Sequence, residues 1–123
     1  MNDEYKKEYD KFVTSYETGV TSGEETGFMV VRLAQYFCDA NMDLAKRDKI
    51  YLRKYAEVVD SIDEISGKPM SVAKADAMAR ATEEYAMFLS SKIRLQNIEQ
   101  CINSLKSLQK GILNEYSHVG GSM

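Results

Sequence analysis

The sequence predicts an all-α protein: a long antiparallel helical hairpin, coiled-coil-like, with a short N-terminal helix, assembling into a helical bundle. Three observations carry this expectation. Apolar side chains recur at alternating spacings of three and four through residues 24–66 and again through 71–117, the period of an amphipathic helix. Pro69 is the only proline in 123 residues, so neither stretch contains a strong breaker. Between them lies Ser66-Gly67-Lys68-Pro69-Met70-Ser71, which has the chemistry of a tight corner. Gly67 suits a left-handed position, Pro69 cannot continue a helix, and Ser71 can accept the free amides of the next one.

In chain order, Tyr5, Tyr9, Phe12, Val13, Tyr16 and Val20 form one helical stripe, predicting a first helix that stops near Thr18-Gly19. Residues 1–21 thus read as a short helix and linker. Ser22 and Glu25 have capping-box spacing, which starts the first arm between Ser22 and Gly27. Its stripe is Val30, Leu33, Phe37, Ala40, Leu44, Arg47, Tyr51, Tyr55, Val58, Ile62 and Ile65. Val31, Tyr36, Met42, Leu52 and Val59 add apolar surface beyond that seam, an excess that asks for a third helix or another subunit. The second arm opens with Ala73, Ala75, Ala77, Ala79, Ala81 and Ala86, small residues that permit close approach. It continues through Leu95, Ile98, Ile102, Leu105, Gln109, Ile112 and Tyr116. The hairpin is thus expected over 22–118, with 119–123 a flexible tail. If Ile65 pairs with Val72, Phe37 lies near Gln100 and Tyr51 near Ala86, with Cys38 and Cys101 at similar height.

Composition narrows the function classes. No apolar run reaches the length of a membrane span, and the N-terminus Met1-Asn2-Asp3-Glu4-Tyr5-Lys6 is too polar and acidic for a signal peptide. Two cysteines without CxxC spacing fit a reducing cytoplasm, where both are expected as reduced, small apolar side chains. The net charge of −3 is uneven. Residues 1–27 carry seven acids against three bases, whereas residues 67–123 carry five against seven. An acidic head and a mildly basic second arm can attract each other, but the excess is small for a nucleic-acid binder.

Catalytic and metal signatures fail on inspection. Asp39-Ala40-Asn41-Met42-Asp43 has the opening spacing of a calcium loop, but Leu44 stands where glycine is required and Ile50 where the closing glutamate belongs. Glu115 and His118 have the spacing of half a di-iron site, but His118 is the only histidine. No nucleophile can be given a histidine partner, and no glycine loop can cradle a phosphate. The sequence predicts no enzyme, no cofactor and no metal.

A polar stripe runs beside the apolar one on the second arm: Gln96, Gln100, Asn103, Ser107, Lys110 and Asn114, with Lys92, Arg94 and Lys106 nearby. The bland reading is a solvated helix face. The functional one is a contact strip for a partner or polyanion, formed by Lys92, Arg94, Gln96, Gln100, Asn103, Lys106 and Lys110, holding phosphates without reading bases.

Two stretches, Ser66-Gly67-Lys68-Pro69-Met70-Ser71-Val72-Ala73-Lys74-Ala75-Asp76 continuing into Ala81-Thr82-Glu83-Glu84-Tyr85, and Asn97 through His118, resemble small helical proteins of bacteriophages and prophages. Such proteins are often encoded among replication and recombination genes. The resemblance implies a host-cytoplasm setting and a role in DNA metabolism, and carries no catalytic motif. The expected function is therefore a non-enzymatic helical interaction protein, a homo-oligomer acting as accessory or adaptor. Direct single-strand binding by the basic arm, or inhibition of a host protein, are the alternatives.

Overall fold

The computed structural model describes residues 3–19 and 21–121, with side chains to residue 112. Among these, the chain forms α1 (Glu4–Glu17), α2 (Gly23–Val59), α3 (Val72–Arg80) and α4 (Glu83–Gly121), with no strand. The fold is all-α, as the periodicity predicts, and α2 and α4 are the two arms of a helical hairpin. The chain divides into two compact units that share these helices, one from residues 1–39 and 96–123, the other from 40–95.

In the first unit, α1 and the adjoining parts of α2 and α4 pack together. Tyr5, Thr26, Leu33, Ile98 and Leu105 are buried. Gly23 and Gly27 allow α4 to approach closely: a Cβ on Gly23 would lie 3.6 Å from Ile112 Cγ2, and one on Gly27 only 3.1 Å from Gln109 Nε2. The start of α2 follows its capping signal, with the Glu25 amide donating to Ser22 Oγ at 3.1 Å. α1 ends as expected, with Thr18 closing the helix and Gly19 at φ +78°. It packs on its own chain, setting the Tyr5 ring edge-on to Tyr36 at 6.5 Å. Of the residues that widen the apolar surface, α1 therefore covers Tyr36. Val20, assigned to the α1 stripe, lies outside the described residues.

In the second unit, the rest of α2 packs against α3 and the start of α4. Ala40, Ala75 and Ala79 are buried, so two of the alanines provide the close approach their size permits. Tyr51 stacks on Phe88 at 5.6 Å and tilts against Tyr85 at 5.1 Å. These contacts, like those of Gly23 and Gly27 in the first unit, fall within about one helical turn of the expected register. Ser91 is buried and donates to Asp43 Oδ2 at 2.9 Å.

Three boundaries differ from expectation. α2 ends at Val59, before Ile62 and Ile65, both of which are exposed. Short polar side chains cause the early stop: Ser61 Oγ donates to the Val58 carbonyl at 2.6 Å, and Asp63 Oδ1 accepts the Ile65 amide at 2.9 Å. The corner is thus wider than a six-residue turn. Its bridge joins Ile62 to Pro69, not Ile65 to Val72, and Gly67 takes its left-handed conformation (φ +69°) inside this loop rather than at a helix end. The second arm is also broken, at Ala81-Thr82. Thr82 Oγ1 donates to the Ala79 carbonyl and accepts the Tyr85 amide at 3.3 Å, restarting the helix with Glu83 and Glu84 in its first turn. Finally, α4 extends to Gly121, past the expected end at 117 and into the segment assigned to a tail.

Candidate interaction surfaces

The inner seam of α2 behaves as its spacing predicts. Leu33 and Ala40 are buried, and Val30, Phe37, Leu44, Arg47, Tyr51, Tyr55 and Val58 are half-buried. The opposite side of the helix holds a second ladder. Phe28, Val31, Gln35, Cys38, Met42, Ala45, Lys49, Leu52, Ala56 and Val59 alternate three and four residues apart without a skip, which is a heptad repeat. All ten are exposed. The large members stand well out of the protein: Phe28 is 69 % exposed, Met42 63 %, Val31 59 % and Leu52 55 %. Only Gln35 and Lys49 interrupt the apolar character. Single polar residues at core positions of this kind set register and partner orientation.

Sequence reasoning registered Val31, Met42, Leu52 and Val59 as surplus apolar surface, but not the repeat that unites them. The signal was present: counting from Phe28 by threes and fours reaches Val59 through smaller residues that a search for large hydrophobes passes over. The two cysteines stand in different settings. Cys101 is half-buried and its thiol is pushed up by burial and by Asp10, whereas Cys38 lies exposed on the outer ladder. Both are free thiols.

The polar strip of α4 falls partly into place. In the first unit, Gln96, Gln100, Asn103, Lys106 and Lys110 are all exposed. Gln100 also walls a polar cleft of about 480 Å³ between α1 and α4, together with Tyr5, Tyr9, Asp10, Asn97, Cys101 and Ser104. In the second unit, Lys92 is exposed beside Asn41, Asp48 and Phe88. Arg94 is not an open cation, because it is half-buried with Nε sealed from solvent and lacking a hydrogen-bond partner.

A further cleft, about 400 Å³, opens between α1 and α2 in the first unit over Phe12, Phe28 and Met29. Its rim is fixed by Arg32, whose Nε donates to Glu8 Oε2 at 3.2 Å and whose guanidinium lies 4.9 Å over the Tyr36 ring. Glu8 raises the Arg32 pKa further. In the second unit, Asp63 ties the corner to α3 by accepting from Lys74 Nζ at 2.8 Å. That contact, with the Ile65 amide, holds the Asp63 carboxyl below the usual range.

Asp39 through Asp43 lie within α2, and Asp43 is engaged by Ser91, so the calcium-loop spacing corresponds to no loop. Among the described residues no three His, Cys, Asp or Glu side chains gather where a metal could bind, and no helix is long and apolar enough to cross a membrane. The side chains of Glu115 and His118 lie outside the described residues. Comparison with protein-family models, curated proteins and solved structures finds no match to this chain.

Proposed function

We propose that this chain is a non-enzymatic helical interaction protein that works as an oligomer, an accessory or adaptor of the phage type in DNA metabolism. The observation that carries the interaction role is the heptad ladder of α2, a largely apolar face that runs from Phe28 to Val59 and is exposed at every position among the described residues. Water-exposed ladders of this length cost solubility, and burying them against a partner removes that cost. The phage and DNA-metabolism setting rests on the resemblance of residues 66–85 and 97–118. Light scattering tests the oligomer: the reading expects a mass above the 13.9 kDa of the chain, and a monodisperse 13.9 kDa species contradicts it.

A second reading is favoured by the exposure of Gln96, Gln100, Asn103, Lys106 and Lys110 along one helix. On that reading the strip holds a single-stranded polyanion through its phosphates, with affinity falling steeply as salt rises. Replacing Lys106 and Lys110 together by alanine then abolishes salt-sensitive retention of single-stranded DNA. Unchanged retention removes these residues from the account.

A further inference from the structure

Resting on the oligomeric reading above, we infer that the occupant of the outer ladder is a second copy of the same helix, antiparallel, with the two-fold axis between Asp43 and Leu44. Three features of α2 select this arrangement. The first is size. Antiparallel pairing about that axis sets Met42 against Ala45 and Val31 against Ala56 of a second copy, so large side chains meet small ones. A parallel pair stacks Ala45 on Ala45 and Ala56 on Ala56, leaving thin layers between wide ones.

The second feature is the lysine inside the ladder. In a parallel pair Lys49 meets its own copy, two like charges in an apolar seam. In the antiparallel pair it lies beside Cys38 and Asp39 of the second copy, where its ammonium finds a carboxylate.

The third is the charge along the flank. Asp39 and Lys46 are both exposed, on the same edge of the ladder and on opposite sides of the proposed axis. A two-fold axis there brings Asp39 of each copy to Lys46 of the other, twice. Sliding the pair by one heptad either way breaks the pairing of Met42 with Ala45 and of Val31 with Ala56, so side-chain size fixes the register. The same pairing sets Arg32, which already holds Glu8 at 3.2 Å, against Arg53 of the second copy, and Glu25 against Asp60, like-charge contacts at the solvated ends of the seam.

The test is oxidative cross-linking of the full chain, with solution mass measured in parallel. In a Cys101→Ala background, adding Lys49→Cys places thiols at the opposed positions 38 and 49. Air oxidation is expected to give a covalent dimer for that variant and none for the chain bearing Cys38 alone. Met42→Glu with Leu52→Glu, both on exposed positions, is expected to reduce the mass to that of one chain with helix content by circular dichroism unchanged. A disulfide through Cys38 alone means a parallel pair and overturns the inference while leaving the oligomer. A dimer that neither cross-links nor responds to Met42→Glu and Leu52→Glu uses another face, and overturns it likewise. A single-chain mass for the unmodified protein overturns both this inference and the function proposed above.

Discussion

The two sides of α2 carry the same kind of pattern to different ends. Both are apolar ladders with steps of three and four residues, yet one is covered by the protein's own helices and the other stands in solvent. Residue size separates them. The inner side uses Leu33, Phe37, Leu44, Tyr51 and Tyr55, broad side chains of which Tyr51 meets Tyr85 and Phe88 of α4 and Tyr55 meets Asp76 of α3. The outer side intersperses Cys38, Ala45 and Ala56 among its larger members, as suits a seam where another helix backbone comes near. Periodicity therefore marks which faces need covering, whereas volume indicates what kind of surface covers them.

Substitution is the strongest way to break this comparison. Leu33→Ala or Ile98→Ala, each at a fully buried side chain, should lower unfolding free energy by about 2–5 kcal/mol in a denaturant titration. Leu52→Ala on the outer side should change the stability of the isolated chain by no more than about 0.5 kcal/mol. Equal costs would erase the distinction between the two faces.

Smaller effects sharpen it at the helix ends. Ser71→Ala removes the acceptor of the Lys74 amide and should cost about 1 kcal/mol by thermal unfolding. Gly111→Ala has the opposite sign, because a Cβ there meets nothing within 4 Å. It should raise stability by about 0.5–1 kcal/mol, the difference in helix propensity. A loss would mean that α4 is packed at that position.

The smallest effect is a pH dependence of the corner. Because the Asp63 carboxyl titrates below its ordinary value of about 3.9, its contribution is present above that value and fades as pH falls through the lower folded one. Lys74→Met removes the first cause, so the Asp63 titration followed by NMR should move up toward the ordinary value. No movement would show that Lys74 does not hold the carboxyl.

The sequence made the helices legible because α-helical periodicity is a local property written in every turn. Ser22, Ser71 and Gly67 were legible for the same reason: each satisfies a geometric need of its immediate neighbours. The boundaries at Val59 and Ala81 were not. Ser61, Asp63 and Thr82 bind backbone atoms three or fewer residues away, and such bonds compete with helix continuation by small margins that spacing does not reveal. Arg94 was misplaced on the open strip because spacing along a helix does not reveal which of its polar positions are covered. The outer ladder lay in plain view, but half its members are small or polar, and their meaning appears only once the inner face is known to be occupied.

The central claim, that the outer side of α2 is covered by a second copy, is tested most directly by the reactivity of Cys38. In a Cys101→Ala background, alkylation of this thiol should slow as protein concentration rises, and should stay fast when Leu52→Glu is added. Equal, concentration-independent rates in both proteins would show that the ladder remains open to water and would contradict the account.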